Sequence, residues 1–100
     1  MMERLPIEIG RVVESRQGRD AGRFFVILQV VDEEFVLMAD GLTRKLDHLK
    51  KKKVKHLRAK PVRMDELTEL AATNRLKDSD VRTFLAKNGF GLDQPLCKED

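Results

Sequence analysis

Ten of the twenty side chains in the run RKLDHLKKKKVKHLRAKPVR, residues 44–63, are Lys or Arg, and one, Asp47, is acidic. This segment carries a local charge of +9 in a chain whose formal net charge is only +3, because residues 1–43 and 64–100 each hold five basic against eight acidic side chains. An asymmetry of this kind says more about partners than the total does. Lys50, Lys51, Lys52 and Lys53 are consecutive, and Lys55, Arg58 and Lys60 follow closely. These cations repel one another, and no block of acids lies beside them in sequence. Such a row suits the phosphates of a nucleic acid, whose contacts give affinity without reading sequence and weaken as salt rises. The plainer alternative is a solvated loop that keeps a small protein soluble.

A second set, Arg16, Arg19, Arg23 and Arg44 with Lys45, offers mostly planar guanidinium groups, which suit phosphates or unpaired bases. Pairing with Glu14, Asp20 or Glu34 is the competing use. His56 lies in a basic strand, and its expected role is ring packing or a hydrogen bond to RNA. Catalysis has no support. No Ser-His-Asp or Cys-His order, nucleotide-binding glycine loop or zinc-ligand spacing is present, and His48 is the one other histidine. The expectation is a non-enzymatic protein with no cofactor and no metal site. The single Cys97 excludes an internal disulfide framework and fits a reducing compartment. The opening MMERLPIEIG is no signal peptide, and no apolar run approaches the ~20 residues of a membrane helix. A soluble, cytoplasmic chain with no membrane partner is expected.

These residues need a frame, and one hundred residues allow one small domain with an appendage. Residues 7–13 roughly alternate apolar and polar and are rich in β-branched types, which reads as a first strand. Ser15 to Arg23 is a loop, in which Gly18 and Gly22 can take positive φ and Asp20 suits a turn. Residues 24–31 are apolar on both parities except Gln29, so this strand must be covered on both faces. A third strand follows at 34–39, and Asp40-Gly41 reads as a type I′ hairpin leading into a short strand at 42–46. Residues 47–53 look too charged to pair regularly and are expected to form a loop. A fifth strand, 54–60, ends at Pro61. Beyond it, Asp65 is expected to cap a helix with Leu67, Leu70, Ala71 and Asn74 on one face. Asp78 starts a second helix, with Val81, Phe84 and Leu85 as its stripe and Gly89 after its end. Phe24, Phe25, Phe35 and Phe84 are expected in the core, Phe90 is undecided, and residues 93–100 look frayed.

The segment Ile9-Gly10-Arg11-Val12-Val13, the loop Gly18-Arg19-Asp20-Ala21-Gly22-Arg23 and the following Phe25-Val26-Ile27 resemble the KOW motif of ribosomal proteins and transcription elongation factors. With Asp40-Gly41-Leu42-Thr43-Arg44-Lys45 and Lys52-Lys53-Val54-Lys55-His56-Leu57, the pattern is similar to the KOW-type large-subunit ribosomal protein family of archaea and eukaryotes and to its small bacterial relatives. The resemblance covers roughly residues 7–60. It implies a five-stranded SH3-like barrel that binds RNA, usually ribosomal RNA. By position, the motif's loop falls on Gly18, Arg19, Asp20 and Gly22, and the basic segment on Lys50 through Arg58.

The expected architecture is therefore mainly β: a KOW/SH3-like barrel over residues 1–62 and a short C-terminal α-helical hairpin over 63–100. The expected function is non-catalytic binding of RNA, most of all ribosomal RNA, with ribosomal proteins as further partners. The competing readings are a protein-interaction adaptor and a DNA-binding, transcription-associated KOW protein.

Overall fold

The computed structural model describes residues 5–90, so Cys97 and the expected frayed tail lie outside the described residues. Five strands, β1 (Arg11–Ser15), β2 (Phe24–Val30), β3 (Phe35–Ala39), β4 (Lys50–Lys53) and β5 (Leu57–Arg63), form one antiparallel sheet in the order β4-β3-β2-β1-β5. A one-turn 3-10 helix, Val54–His56, joins the two edge strands. Helices α1 (Leu67–Ala72) and α2 (Asp78–Lys87) complete the chain. This is the expected mainly β, SH3-like arrangement followed by two helices.

The double apolar parity of residues 24–31 is explained by two cores. Phe25 and Ile27 of β2 face the barrel interior with Val13, Val36 and Met38. Phe24, Val26 and Leu28 face the other way, where Val12 joins Met64, Leu67, Val81 and Leu85 beneath the helices. Alternate residues of one strand thus serve opposite faces. A register shift between Ile27 and Gln29 marks a bulge that bends β2 as it passes from one neighbour to the next.

Several boundaries differ from the sequence reading. β1 starts at Arg11, because a turn at Ile9-Gly10 precedes it. At this first position of the strand the Arg11 side chain is buried. It donates to the Pro6 carbonyl (3.0 Å), to the Lys60 carbonyl (3.2 Å) and to Glu8 (2.6 Å). The fourth strand is Lys50–Lys53, not 42–46, and Asp40-Gly41 is not a two-residue hairpin. The Asp40 carboxylate accepts from the amides of Leu42 and Arg44 and from the Thr43 hydroxyl, folding residues 40–44 into a closed loop. Gly41 lies at φ +75°, and a Cβ there would collide with the carbonyl oxygen of Asp78 at the start of α2. The loop is fastened to α2 from both sides. Leu46 N–H donates to Asp78 (2.7 Å), and Arg82 donates to the Gly41 carbonyl (2.9 Å).

β5 runs through Pro61 to Arg63. It is an edge strand whose register against β1 shifts between Arg11 and Val13, and an edge irregularity is where proline is tolerated. Asp65 does not cap α1 but pairs with Arg63 at 2.9 Å. Asn74 does not share the apolar face either. It takes φ +60° after the helix, where Arg75 N–H reaches the Leu70 carbonyl at 2.8 Å and closes the C-terminus. Gly89 plays the expected part after α2, and Phe90 folds back onto Phe24 with ring centroids 4.7 Å apart. No helix of the described residues is long and apolar enough to cross a membrane.

Candidate nucleic-acid interface

The lysine run forms a strand because the sheet finds a separate use for each parity. Lys51 and Lys53 point outward over the half-buried Phe35, with Nζ 4.6 and 5.9 Å from the ring centroid. Their stems and charges cover an aromatic face that was expected to be core. Lys52 points inward opposite Val36 and is buried. Its ammonium donates to the Gln17 carbonyl at 2.6 Å and to the Asp20 carboxylate at 3.0 Å. Lys52 is thus a fastening between β4 and the β1–β2 loop, with its Nζ turned away from solvent.

Asp20 is the centre of that loop. The buried Ser15 hydroxyl lies 2.7 Å from its carboxylate and 3.1 Å from the Gln17 carbonyl. Burial pushes the Asp20 carboxyl up. The hydrogen bonds from Ser15 and Lys52, with the charges of Lys52 and Lys50, more than offset this and hold it below the ordinary carboxylate value. Backbone bonds from Ser15 to Arg23 (2.9 Å), Gly22 to Ser15 (2.8 Å) and Arg16 to His56 (2.8 Å) close the loop and tie it to the 3-10 turn. Gly18 and Gly22 are both at positive φ, +90° and +89°. Around Gly22 the space is open, so backbone conformation alone demands glycine there.

This framework leaves the arginines outside. Among the described residues, the side chains of Arg16, Arg19, Arg23, Arg44, Lys45, Lys50, Lys55, His56 and Arg58 make no hydrogen bond or ion pair. None of the acids considered as partners takes up an arginine of the loop. Glu14 pairs with Lys60 at 3.4 Å, Asp20 with Lys52, and Glu34 with neither. Lys60 is further committed, its Nζ 5.7 Å from the Phe24 ring. Arg19, Arg23, Arg44 and Lys50 line one open hollow of about 290 Å3 together with Asp20 and Thr43. Lys55 and Arg58 instead flank an apolar hollow of about 450 Å3 built from Leu5, Ile7, Val54, Leu57 and Ala59. Lys53 and Lys55 share a third with Glu33 and Glu34.

Sequence reasoning missed the Ser15–Asp20–Lys52 fastening, because Asp20 and Lys52 lie 32 positions apart and no local spacing joins them. It also missed that Asp40 organises the turn presenting Arg44. An Asp followed by Gly and Thr is the available signal, and it reads equally as a hairpin. No group of three His, Cys, Asp or Glu among the described residues is placed to hold a metal ion.

A five-stranded SH3-like barrel with a glycine-bearing β1–β2 loop and unpaired cations on that loop and its neighbours defines a KOW-type barrel protein. No family model matches the chain. It is 35% identical over 71 residues to large ribosomal subunit protein eL14 of Methanococcus maripaludis, covering 71% of this chain and 84% of that one. It is 29% identical over 84 residues to the eL14 protein of Sulfolobus acidocaldarius, covering 84% and 81% of the two chains. A third relative, eL14 of Desulfurococcus amylolyticus, is 42% identical over 53 residues, covering 51% and 53%. The chain belongs to the eL14 family of large ribosomal subunit proteins.

Proposed function

We propose that this protein is a non-catalytic, cytoplasmic component or partner of the large ribosomal subunit that binds ribosomal RNA through its phosphate backbone. The observation that carries this reading is the set of arginines and lysines around the β1–β2 loop that have no protein partner among the described residues. Uncompensated cations on a small fold cost stability, and polyanion contact offsets that cost. That relatives are named as ribosomal proteins supports ribosomal RNA as the polyanion. The phenylalanines favour folded RNA over single strands. Phe25 is buried, Phe24 and Phe84 pack on the helix-side core, Phe90 stacks on Phe24, and Phe35 lies under Lys51 and Lys53, so no bare ring is offered for base stacking among the described residues. A protein neighbour on the ribosome is the second reading, favoured by the apolar hollow of Leu5, Ile7, Val54, Leu57 and Ala59.

Sucrose-gradient sedimentation of a tagged copy from lysate, at low and raised salt, tests the main reading. Migration with the large subunit that raised salt strips away is the expected result. A protein that stays at the top of the gradient in both conditions overturns it, and salt-insensitive migration with the subunit shifts the case to a protein neighbour.

A further inference from the structure

The arginine hollow differs in shape from the rest of the basic surface. Arg19 and Arg23 come from the β1–β2 loop, whose conformation is held by the Lys52–Asp20 and Ser15–Asp20 contacts. Arg44 and Lys50 come from the opposite side, where Asp40 closes the turn whose last residue is Arg44. Both walls are therefore fixed before any ligand arrives, which lowers the ordering cost of binding. The acid lining the hollow, Asp20, is already engaged by Lys52 and Ser15, so four positive groups converge on the space with no free counter-charge. Lys53 and Lys55, by contrast, have Glu33 and Glu34 beside them.

Resting on the RNA-binding reading above, we propose that this hollow takes closely spaced backbone phosphates at a point where an RNA strand bends sharply. Along a straight duplex the phosphates form rows, which a line of cations meets one at a time. At a sharp bend neighbouring phosphates approach and repel one another, and a compact, multiply positive, concave site relieves that repulsion best. Guanidinium forks suit the task because each meets two phosphate oxygens at once. Lys52 takes no part in contact. It is a positioning residue that holds the Arg19–Arg23 wall against the Arg44–Lys50 wall.

The test compares a straight RNA duplex with the same duplex carrying an internal bulge that kinks it, each titrated against the full chain. Wild type is expected to prefer the kinked probe. The triple variant R19Q, R23Q, R44Q should lose about tenfold or more on that probe, since its charge-assisted contacts are removed, and should lose the preference with it. The variant K51Q, K53Q, K55Q should weaken both probes alike and keep the preference. The three arginines are unpaired among the described residues, so circular dichroism and thermal midpoint should not move; if they do, Arg44→Gln alone decides. A preference that survives the arginine changes, or its absence in wild type that still binds RNA, overturns the proposal and leaves the ribosomal reading standing. Wild type that binds neither probe and does not sediment with the subunit overturns both.

Discussion

Two basic regions that look alike in the sequence end in different states. The tetralysine run is the denser, yet the fold engages three of its four members: Lys52 is buried against Asp20, Lys51 and Lys53 lie over Phe35, and Lys50 alone joins the arginines at their hollow. The sparser arginines of the β1–β2 loop keep their charge free, because Asp20 and Glu14 are taken by Lys52 and Lys60. Density of charge along the chain is therefore a poor measure of charge available to a partner. What decides availability is whether the strand geometry turns a side chain inward, along the sheet or away from it.

The contrast is broken most severely at Lys52. Lys52→Glu places a second carboxylate against Asp20 in a largely buried site. It should lower stability by about 3 kcal/mol or more, the range for an uncompensated buried charge. Thermal unfolding should show a fall of many degrees, whereas Lys51→Glu should barely move the midpoint. Equal effects at the two positions would mean that Lys52 is one more surface lysine. Lys52→Met sits between them, costing about 1–3 kcal/mol through the carboxylate it leaves unpaired.

A smaller effect is expected at Gly22. Nothing lies within 4 Å of a Cβ built there, so Gly22→Val suffers only from its left-handed backbone, about 1–2 kcal/mol. Because the same loop carries Arg19 and Arg23, RNA affinity should fall although no charge changes. Urea denaturation alongside an RNA titration checks both arms, and unchanged values in both would deny the loop its role.

The pH dependence isolates Asp20. Its carboxyl titrates lower in the folded chain than in the unfolded one, so its contribution is complete above about pH 4, the unfolded carboxylate value, and is lost as pH falls through the lower folded value. Wild type and Asp20→Asn should accordingly differ most in urea midpoint near neutrality and converge in acid. A gap that widens toward low pH would contradict the fastening. The smallest effect belongs to Lys51→Gln with Lys53→Gln. Each removes one cation–π interaction with Phe35, which should lower the urea midpoint by the equivalent of under about 1 kcal/mol.

Much of the frame is legible locally. The strands at 24–30 and 35–39 and the second helix follow from β-branched and apolar runs and from turn or cap signals, whereas the first strand, expected at 7–13, lies at Arg11–Ser15. The double-faced character of residues 24–31 correctly implies cover on both sides. The failures share a cause. Lys50–Lys53 reads as a loop because four like charges disfavour pairing, but cross-strand Phe35 and the buried Asp20 supply what the local sequence lacks. Asp40 reads as a hairpin residue because its side-chain bonds and the packing of Gly41 on α2 are not visible in a dipeptide.

Taken alone, the amino-acid order determined the β character up to about Pro61, the helical character beyond it, the glycine loop between the first two strands and the separation of charge along the chain. These depend on periodicity and on backbone preferences that act within a few residues. Which of the cations remain free was decided only in three dimensions. Asp20 and Lys52 meet across 32 positions, Arg44 is presented by a turn locked to a helix more than thirty residues on, and the arginine hollow exists because two distant loops face each other. Charge pairing depends on distance in space, and in a small barrel the sheet register sets that distance.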